Sequence, residues 1–329
     1  MDRRSLLALP VLALPGIARA QAFPSRAITL VSGYAPGGST DISARLVGER
    51  MQGLLGPDAR IVVENRPGAA GRVASDWLRR QPADGYTLML TESSSHALLP
   101  HAVRRGTPHH PVNDFTQIAM VCTTPYVLIT RTDFPARTAQ EMVAQLRSAD
   151  PETLPFATSG VANATHFAAE LLVNQLGRGG RFPNVPYRSG GLMVESIARG
   201  ETAWGTAALA SAAAQISGGR IRGIAVTSAQ RSASFPDIPT LAESGVSGFD
   251  LVNWYAIIGP PNMPAEITAR LNGAIRQALA DPQLRQRFLT AALDAWPGDN
   301  TPEAARAYFA AEQERWRDYV NRTNLRLDE

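Results

Sequence analysis

Three turns rich in glycine and hydroxyl groups hold the residues best suited to chemistry. The first, Gly33-Tyr34-Ala35-Pro36-Gly37-Gly38-Ser39-Thr40-Asp41, joins an apolar run to an amphipathic one. Gly37 and Gly38 let the backbone turn tightly and approach a ligand closely. Ser39 or Thr40 is placed to cap the following helix. The free N–H groups of a first helical turn, reinforced by the helix dipole, suit a carboxylate or phosphate without any cationic side chain. Asp41 suits that dipole but repels an anion, so its expected role is to orient the loop. Taken alone, this turn is equally well accounted for as a plain glycine-rich connection. The second turn, Phe156-Ala157-Thr158-Ser159-Gly160 followed by Ala162-Asn163-Ala164-Thr165-His166, repeats the chemistry. Ser159, Gly160, Thr165 and the N–H groups around Ala164 are placed to grip the other end of a small polar ligand. His166 reads as a helix-start hydrogen-bonder. The third run, Glu92-Ser93-Ser94-Ser95-His96, offers hydroxyls to line a cleft.

Other chemistries are excluded by residue type or spacing. All 32 Lys+Arg cations are arginine. Schiff bases, pyridoxal-phosphate linkage and the lysine of a phosphate-binding P-loop are therefore ruled out. The first turn also lacks the Gly-x-Gly-x-x-Gly dinucleotide fingerprint. A hydrolase is the rival class, since Ser93–Ser95, His96, His166, Asp41, Asp84 and Glu64 supply ingredients, but no Gly-x-Ser-x-Gly elbow or His-Glu-x-x-His motif occurs. The single cysteine, Cys122, lies in the apolar run Ile118–Cys122 and reads as a buried thiol. His101, His109 and His110 fall in a proline-containing loop and are expected in solvent rather than on a metal. No cofactor is called for, and a net charge of +3 gives no footprint for nucleic acid.

These turns need a scaffold. At about 150 residues per domain, 329 residues suggest two domains, and 44% hydrophobic with 19% charged residues is globular composition. Residues 1–22 read as a signal peptide: Arg3-Arg4, the apolar run Leu6–Ile17, and small-x-small cleavage after Ala20 or Ala22. The arginine pair fits either a general secretory or a twin-arginine signal. The segment carries three arginines and one aspartate, so its removal leaves +3 − 2 = +1. Strands are predicted at 27–34, 60–64 and 86–91, with helices at 40–55 and 69–80. This βαβαβ order calls for a parallel sheet with helices on its faces. Apolar runs at 117–124 and 126–131 lead into a second α/β series. It has helices at 136–149, 163–176 and 192–199, and strands at 154–158, 185–187, 202–207 and 221–227. A strand at 251–258, a helix at 264–280 and a final helix from Thr301-Pro302-Glu303 close the chain. Two α/β units face to face make a cleft, where small ligands favour binding.

Several of these segments together resemble the Bug family of extracytoplasmic solute receptors, the binding components of tripartite tricarboxylate transporters. They are Phe23-Pro24-Ser25-Arg26, Tyr34–Asp41, Val62-Val63-Glu64-Asn65-Arg66-Pro67-Gly68 and Ala83-Asp84-Gly85-Tyr86-Thr87-Leu88. Thr158-Ser159-Gly160, Val185-Pro186-Tyr187-Arg188 with Gly190, Ile224–Ser228, Phe235–Thr240, Trp254-Tyr255 and Ala280-Asp281-Pro282 continue the series. The resemblance implies a two-lobed periplasmic-binding-protein (Venus flytrap) fold, each lobe a mostly parallel sheet flanked by helices. Lobe 1 would be 23–123 with 253–329, lobe 2 would be 124–252, and crossing strands near 117–131 and 251–259 would form the hinge. It implies a monomeric periplasmic receptor that holds a small organic carboxylate and passes it to membrane permease subunits. The Tyr34–Asp41 loop would hold the carboxylate, the Ser159–His166 loop would close over it, and Ser93–Ser95 and Tyr187 would line the cleft. Where the family commonly carries an aspartate, this chain has Ala207. Its smaller, uncharged side chain should favour uncharged or aromatic acids over amino acids. A branched or bulky residue at Gly38, such as valine, should abolish binding, because its Cβ would intrude on the approach of backbone to ligand.

Overall fold

Apolar alternation and helical periodicity become elements much as their spacing predicts. The structure, a computed structural model, describes residues 23–104, 106–324 and 326; the expected signal segment 1–22 lies outside them. The first series is β1 (Ile28–Ser32), α1 (Ser39–Leu55), β2 (Ile61–Asn65), α2 (Arg72–Leu78) and β3 (Thr87–Glu92). A wide helical turn at Ser94–Leu98 runs into α3 (Leu99–Ala102), and β4 (Thr116–Arg131) follows. The second series is α4 (Ala139–Ser148), β5 (Phe156–Thr158), α5 (Ala164–Gln175), β6 (Asn184–Pro186) and α6 (Gly190–Ala198). It continues through β7 (Trp204–Ala208), α7 (Leu209–Ser217) and β8 (Ile221–Val226). The chain ends with β9 (Val252–Gly259), α8 (Ala265–Ala280), α9 (Pro282–Thr290), β10 (Asp294–Ala295) and α10 (Pro302–Thr323).

Two sheets share β4. In the first, β2, β1 and β3 run parallel, while β9 lies antiparallel to both β3 and β4. In the second, β6, β5 and β7 run parallel, and β4 lies antiparallel between β7 and β8. Each sheet is thus a parallel three-stranded unit with antiparallel strands added where the chain crosses. The two apolar runs at 117–124 and 126–131 are one strand. Pro125 is tolerated inside it because the ladder changes hands there: Pro125 faces Val252 of the first sheet and Tyr126 faces Ala208 of the second. The return passage is shorter than expected. Leu251 donates its N–H to Thr227 O in the second unit, and β9 then runs entirely in the first sheet.

Local chemistry explains the helix ends. Thr138 and Glu141 form a capping box on α4, and Thr301 caps α10 ahead of Pro302. The helix expected over 69–80 starts only at Arg72. Gly68, Ala69, Ala70 and Gly71 all have positive φ (150°, 44°, 50° and 88°), a backbone that a right-handed helix of L-residues cannot contain. Helix α10 spans both units. Phe309 packs on Trp254 of β9 at 4.8 Å between centroids, and Trp316 and Tyr319 pack on Phe167 of α5 at 5.4 and 5.8 Å. Between them, Glu312 Oε2 accepts from the indole N–H groups of Trp254 (2.9 Å) and Trp316 (3.2 Å).

Cys122 is fully buried beside Ser43, and burial pushes its thiol up to about 12. Native protein should therefore resist an aromatic disulfide reagent that titrates one thiol in urea. Rapid stoichiometric reaction of the native protein would contradict this placement. Among the described residues, no helix is long and apolar enough to cross a membrane.

Candidate functional site

The turns after β1, β3, β5 and β6 meet between the two sheets, outside the carboxyl ends of their strands. Their contacts cross from one unit to the other. Ala35 N–H reaches Arg188 O at 3.4 Å, Ser39 N–H donates to Ser211 Oγ of α7 at 2.9 Å, and Ala164 N–H donates to Ser94 Oγ at 2.8 Å. Each unit thus supplies a hydroxyl that satisfies a first-turn donor of a helix in the other. The cap of α1 is Gly38, with no side-chain hydrogen bond, rather than Ser39 or Thr40 as expected. Asp41 turns back on its own loop, where Oδ2 accepts Gly37 N–H and Oδ1 accepts from Asn65. Burial raises its carboxyl, but the bonds from Arg45, Asn65 and Gly37 outweigh this and hold it below its ordinary value. Asn163 caps α5 by accepting His166 N–H.

Two cavities adjoin these contacts. The inner one, about 30 Å³, is lined by Tyr34, Gly38, Ser39 and Thr40, by Glu92 and Ser94, and by Ser159, Asn163 and Thr165. Tyr126, Asn253, Gly190, Ala208 and Ser211 complete it. Glu92 is buried, with Tyr34 O–H donating to Oε1 (2.8 Å) and Ser94 N–H to Oε2 (2.9 Å). Burial pushes the Glu92 carboxyl above its ordinary value. The outer cavity, about 500 Å³, shares Tyr34 and Ser159 with the inner one. Its remaining walls are Gly33 and Pro67–Ala70 with Arg72 on one side, and Gly160, Val161, Pro186, Tyr187 and Arg188 on the other. Gly68, Ala69 and Ala70 of the positive-φ run therefore form part of this wall.

Of the expected site residues, Tyr34, Gly38, Ser39, Thr40, Ser94, Ser159, Gly160, Thr165 and Tyr187 line a cavity. Ala35, Pro36, Gly37 and Asp41 lie outside both, and so do Ala164 and His166. Ser93 turns to Asn253, while Ser95 bonds Thr91 and His96 behind the wall. Ala207 is wholly buried opposite Val127; its neighbour Ala208 faces the inner cavity, because successive strand residues alternate in direction. Size at position 207 thus acts on packing of the second sheet. Arg72, Arg188, Gly190 and Ser211 were missed. Arg188-Ser189-Gly190-Gly191 is itself a glycine-rich strand-to-helix turn and so carried a readable signal, whereas Ser211 sits in an alanine-rich run without clear periodicity.

His110 is exposed and His166 bonds at the start of α5, both as expected, but His109 departs from expectation. His109 is buried, not solvated, and packs against His96 and Phe115. His166 Nδ1 accepts Ala162 N–H, and burial lowers its imidazole to about 4. Burial also depresses His96 and His109. A buried neutral imidazole stabilises the fold above its unfolded value near 6.5, and that stability is lost as pH falls toward the folded value. The melting temperature should drop between about pH 6.5 and 4, and His166→Gln should flatten the profile. A wild-type melting temperature constant across that window would contradict this.

Two α/β lobes that share a crossing strand, with strand-to-helix turns facing over a polar cavity, define the class of periplasmic solute-binding proteins. Within it, the chain belongs to the tripartite tricarboxylate transporter family receptors, whose family model matches residues 43–325. Protein BugT of Bordetella pertussis is 32% identical over 308 residues, covering 94% of this chain and 92% of BugT. The periplasmic binding protein BugD superposes with a TM-score of 0.86 at 25% identity, over 93% of this chain and 100% of BugD. MatC from Rhodopseudomonas palustris, solved with bound malate, gives 0.84 at 27% identity, over 91% of this chain and 100% of MatC.

Proposed function

We propose that this protein is an exported receptor that captures a small organic carboxylate between its lobes and hands it to membrane permease subunits. The observation that carries the reading is the outer cavity of about 500 Å³, which brings Arg72 and Arg188 to a space walled by both lobes. The family relationship and the malate bound by MatC support a carboxylate as ligand. Lobe 1 comprises 23–123 and 253–329, and lobe 2 comprises 124–252. The ligand draws the lobes together, because contacts available only in the closed arrangement shift the population toward it. The closed, monomeric form is what the permease recognises after residues 1–22 direct export to the periplasm. The hydrolase alternative is disfavoured by the burial of Ser95 and His96 behind the cavity wall.

The test is a thermal-shift panel of organic acids on residues 23–329. An acid at about 100 times its dissociation constant stabilises by roughly 2.7 kcal/mol, which a melting curve resolves. A panel in which no carboxylate raises the melting temperature, or in which one is turned over, would sink the receptor reading.

A further inference from the structure

Two backbone donors that face the cleft are already taken by the protein itself. Ser39 and Ala164 are the first helical residues of α1 and α5, following the caps Gly38 and Asn163. An N–H at this position has no partner within its own helix and is the kind of donor an anion's oxygen would use. Here a serine from across the cleft fills each place. Ser211 Oγ accepts from Ser39 N–H at 2.9 Å, and Ser94 Oγ accepts from Ala164 N–H at 2.8 Å.

Both hydroxyls are held in position. Ser94 is 2% exposed, and its own N–H donates to Glu92 Oε2 at 2.9 Å. Ser211 stands on α7 in a gap left by Gly190, where a Cβ would come within 2.5 Å of Ser211 Oγ. Two close backbone approaches lie alongside, Ala35 N–H to Arg188 O at 3.4 Å and Gly191 over Gly37. All four contacts join protein to protein and so ask nothing of a ligand. Parting the cleft returns the two N–H groups and the two hydroxyls to water, and each hydrogen bond lost shifts an equilibrium about two- to tenfold.

We propose that Ser94 and Ser211 form a latch that closes the lobes before a ligand arrives. This rests on the receptor reading above and adds a regulatory element to it. The ligand completes a closure that the two hydroxyls have begun, and its apparent affinity depends on how much of the protein is already closed.

The test compares wild type, Ser211→Ala, Ser94→Ala and the double variant, each as residues 23–329. Small-angle scattering gives the radius of gyration without ligand, and calorimetry gives the affinity for malate and for adipate. Ser211 is half-buried on a helix that alanine suits, so Ser211→Ala should fold; melting temperature checks the buried Ser94→Ala. The ligand-free radius should grow from wild type to the single variants to the double, and return to the wild-type value at saturating acid. Each single substitution should weaken binding about two- to tenfold. Equal ligand-free radii across the folded variants overturn the latch. So does tighter binding by Ser211→Ala, which would make that hydroxyl a competitor of the ligand. A wild type that binds neither acid counts against the receptor reading alone, and the ligand-free radii still decide the latch.

Discussion

Gly191→Ala should leave the fold intact and weaken ligand binding about ten- to a hundredfold. Gly191 sits in the first turn of α6, and a Cβ there would lie 2.7 Å from Gly37 O and 2.9 Å from Gly37 C. Those atoms are backbone of the other lobe, so no rotamer change relieves the contact. Within its own lobe the substitution is favourable, since alanine exceeds glycine inside helices by about 0.5–1 kcal/mol. The penalty falls only on the arrangement in which the lobes touch. Overpacking of this kind costs about 1–3 kcal/mol, and 1.4 kcal/mol is a factor of ten in affinity. Melting temperature, calorimetric affinity and radius of gyration with ligand should be measured together. The expected result is an unchanged or higher melting temperature, weaker binding and a larger radius. Wild-type affinity with a wild-type radius would show that this contact is absent from the ligand-bound form. Gly38, singled out from sequence, is a blunter probe: a Cβ there meets Gly190 N at 3.5 Å and Ser189 Cβ at 3.6 Å, ordinary contacts that only a branched side chain would exceed.

Glu312→Ala carries the largest expected loss of stability. Glu312 is buried, and its Oε2 is the shared acceptor of two indole N–H groups while Oε1 pairs with Arg315. Removing the carboxylate strands both indole donors, at about 1–3 kcal/mol for each unsatisfied group. A loss of roughly 2–4 kcal/mol follows, or about 4–8 °C in melting temperature for a chain of this size. Glu312→Gln keeps an acceptor oxygen and should recover most of the deficit. If the alanine variant melts within about one degree of wild type, the bonds contribute nothing net.

The sequence carries the fold more fully than the site. The alternation of strands and helices, the start of the last helix at Thr301 and the orienting role of Asp41 are local events, legible from neighbouring residues. Pro125 hid the continuity of β4, because proline normally ends a ladder and only the change of partner sheet makes it harmless. The 68–71 run hid behind helical composition, since two of its positive φ angles belong to alanine, which rarely adopts them. The site depends on what crosses from one unit to the other. Ser211 meeting Ser39, Ser94 meeting Ala164 and Arg188 meeting Ala35 are pairings of residues 70 to 172 positions apart, and no periodicity encodes them. Position 207 failed by one residue, which in a strand exchanges cavity for core.

The placement of α10 has a mechanical consequence. Its Phe309 is seated on the first unit and its Trp316 and Tyr319 on Phe167 of the second. Pulling the units straight apart would bring those aromatic faces into water, at about 25 cal/mol for each Å² uncovered. A swivel that kept those faces packed would avoid that cost, so the aromatic cluster favours rotation over stretching as the way the two units part, a clamshell pinned by side chains as well as by a strand.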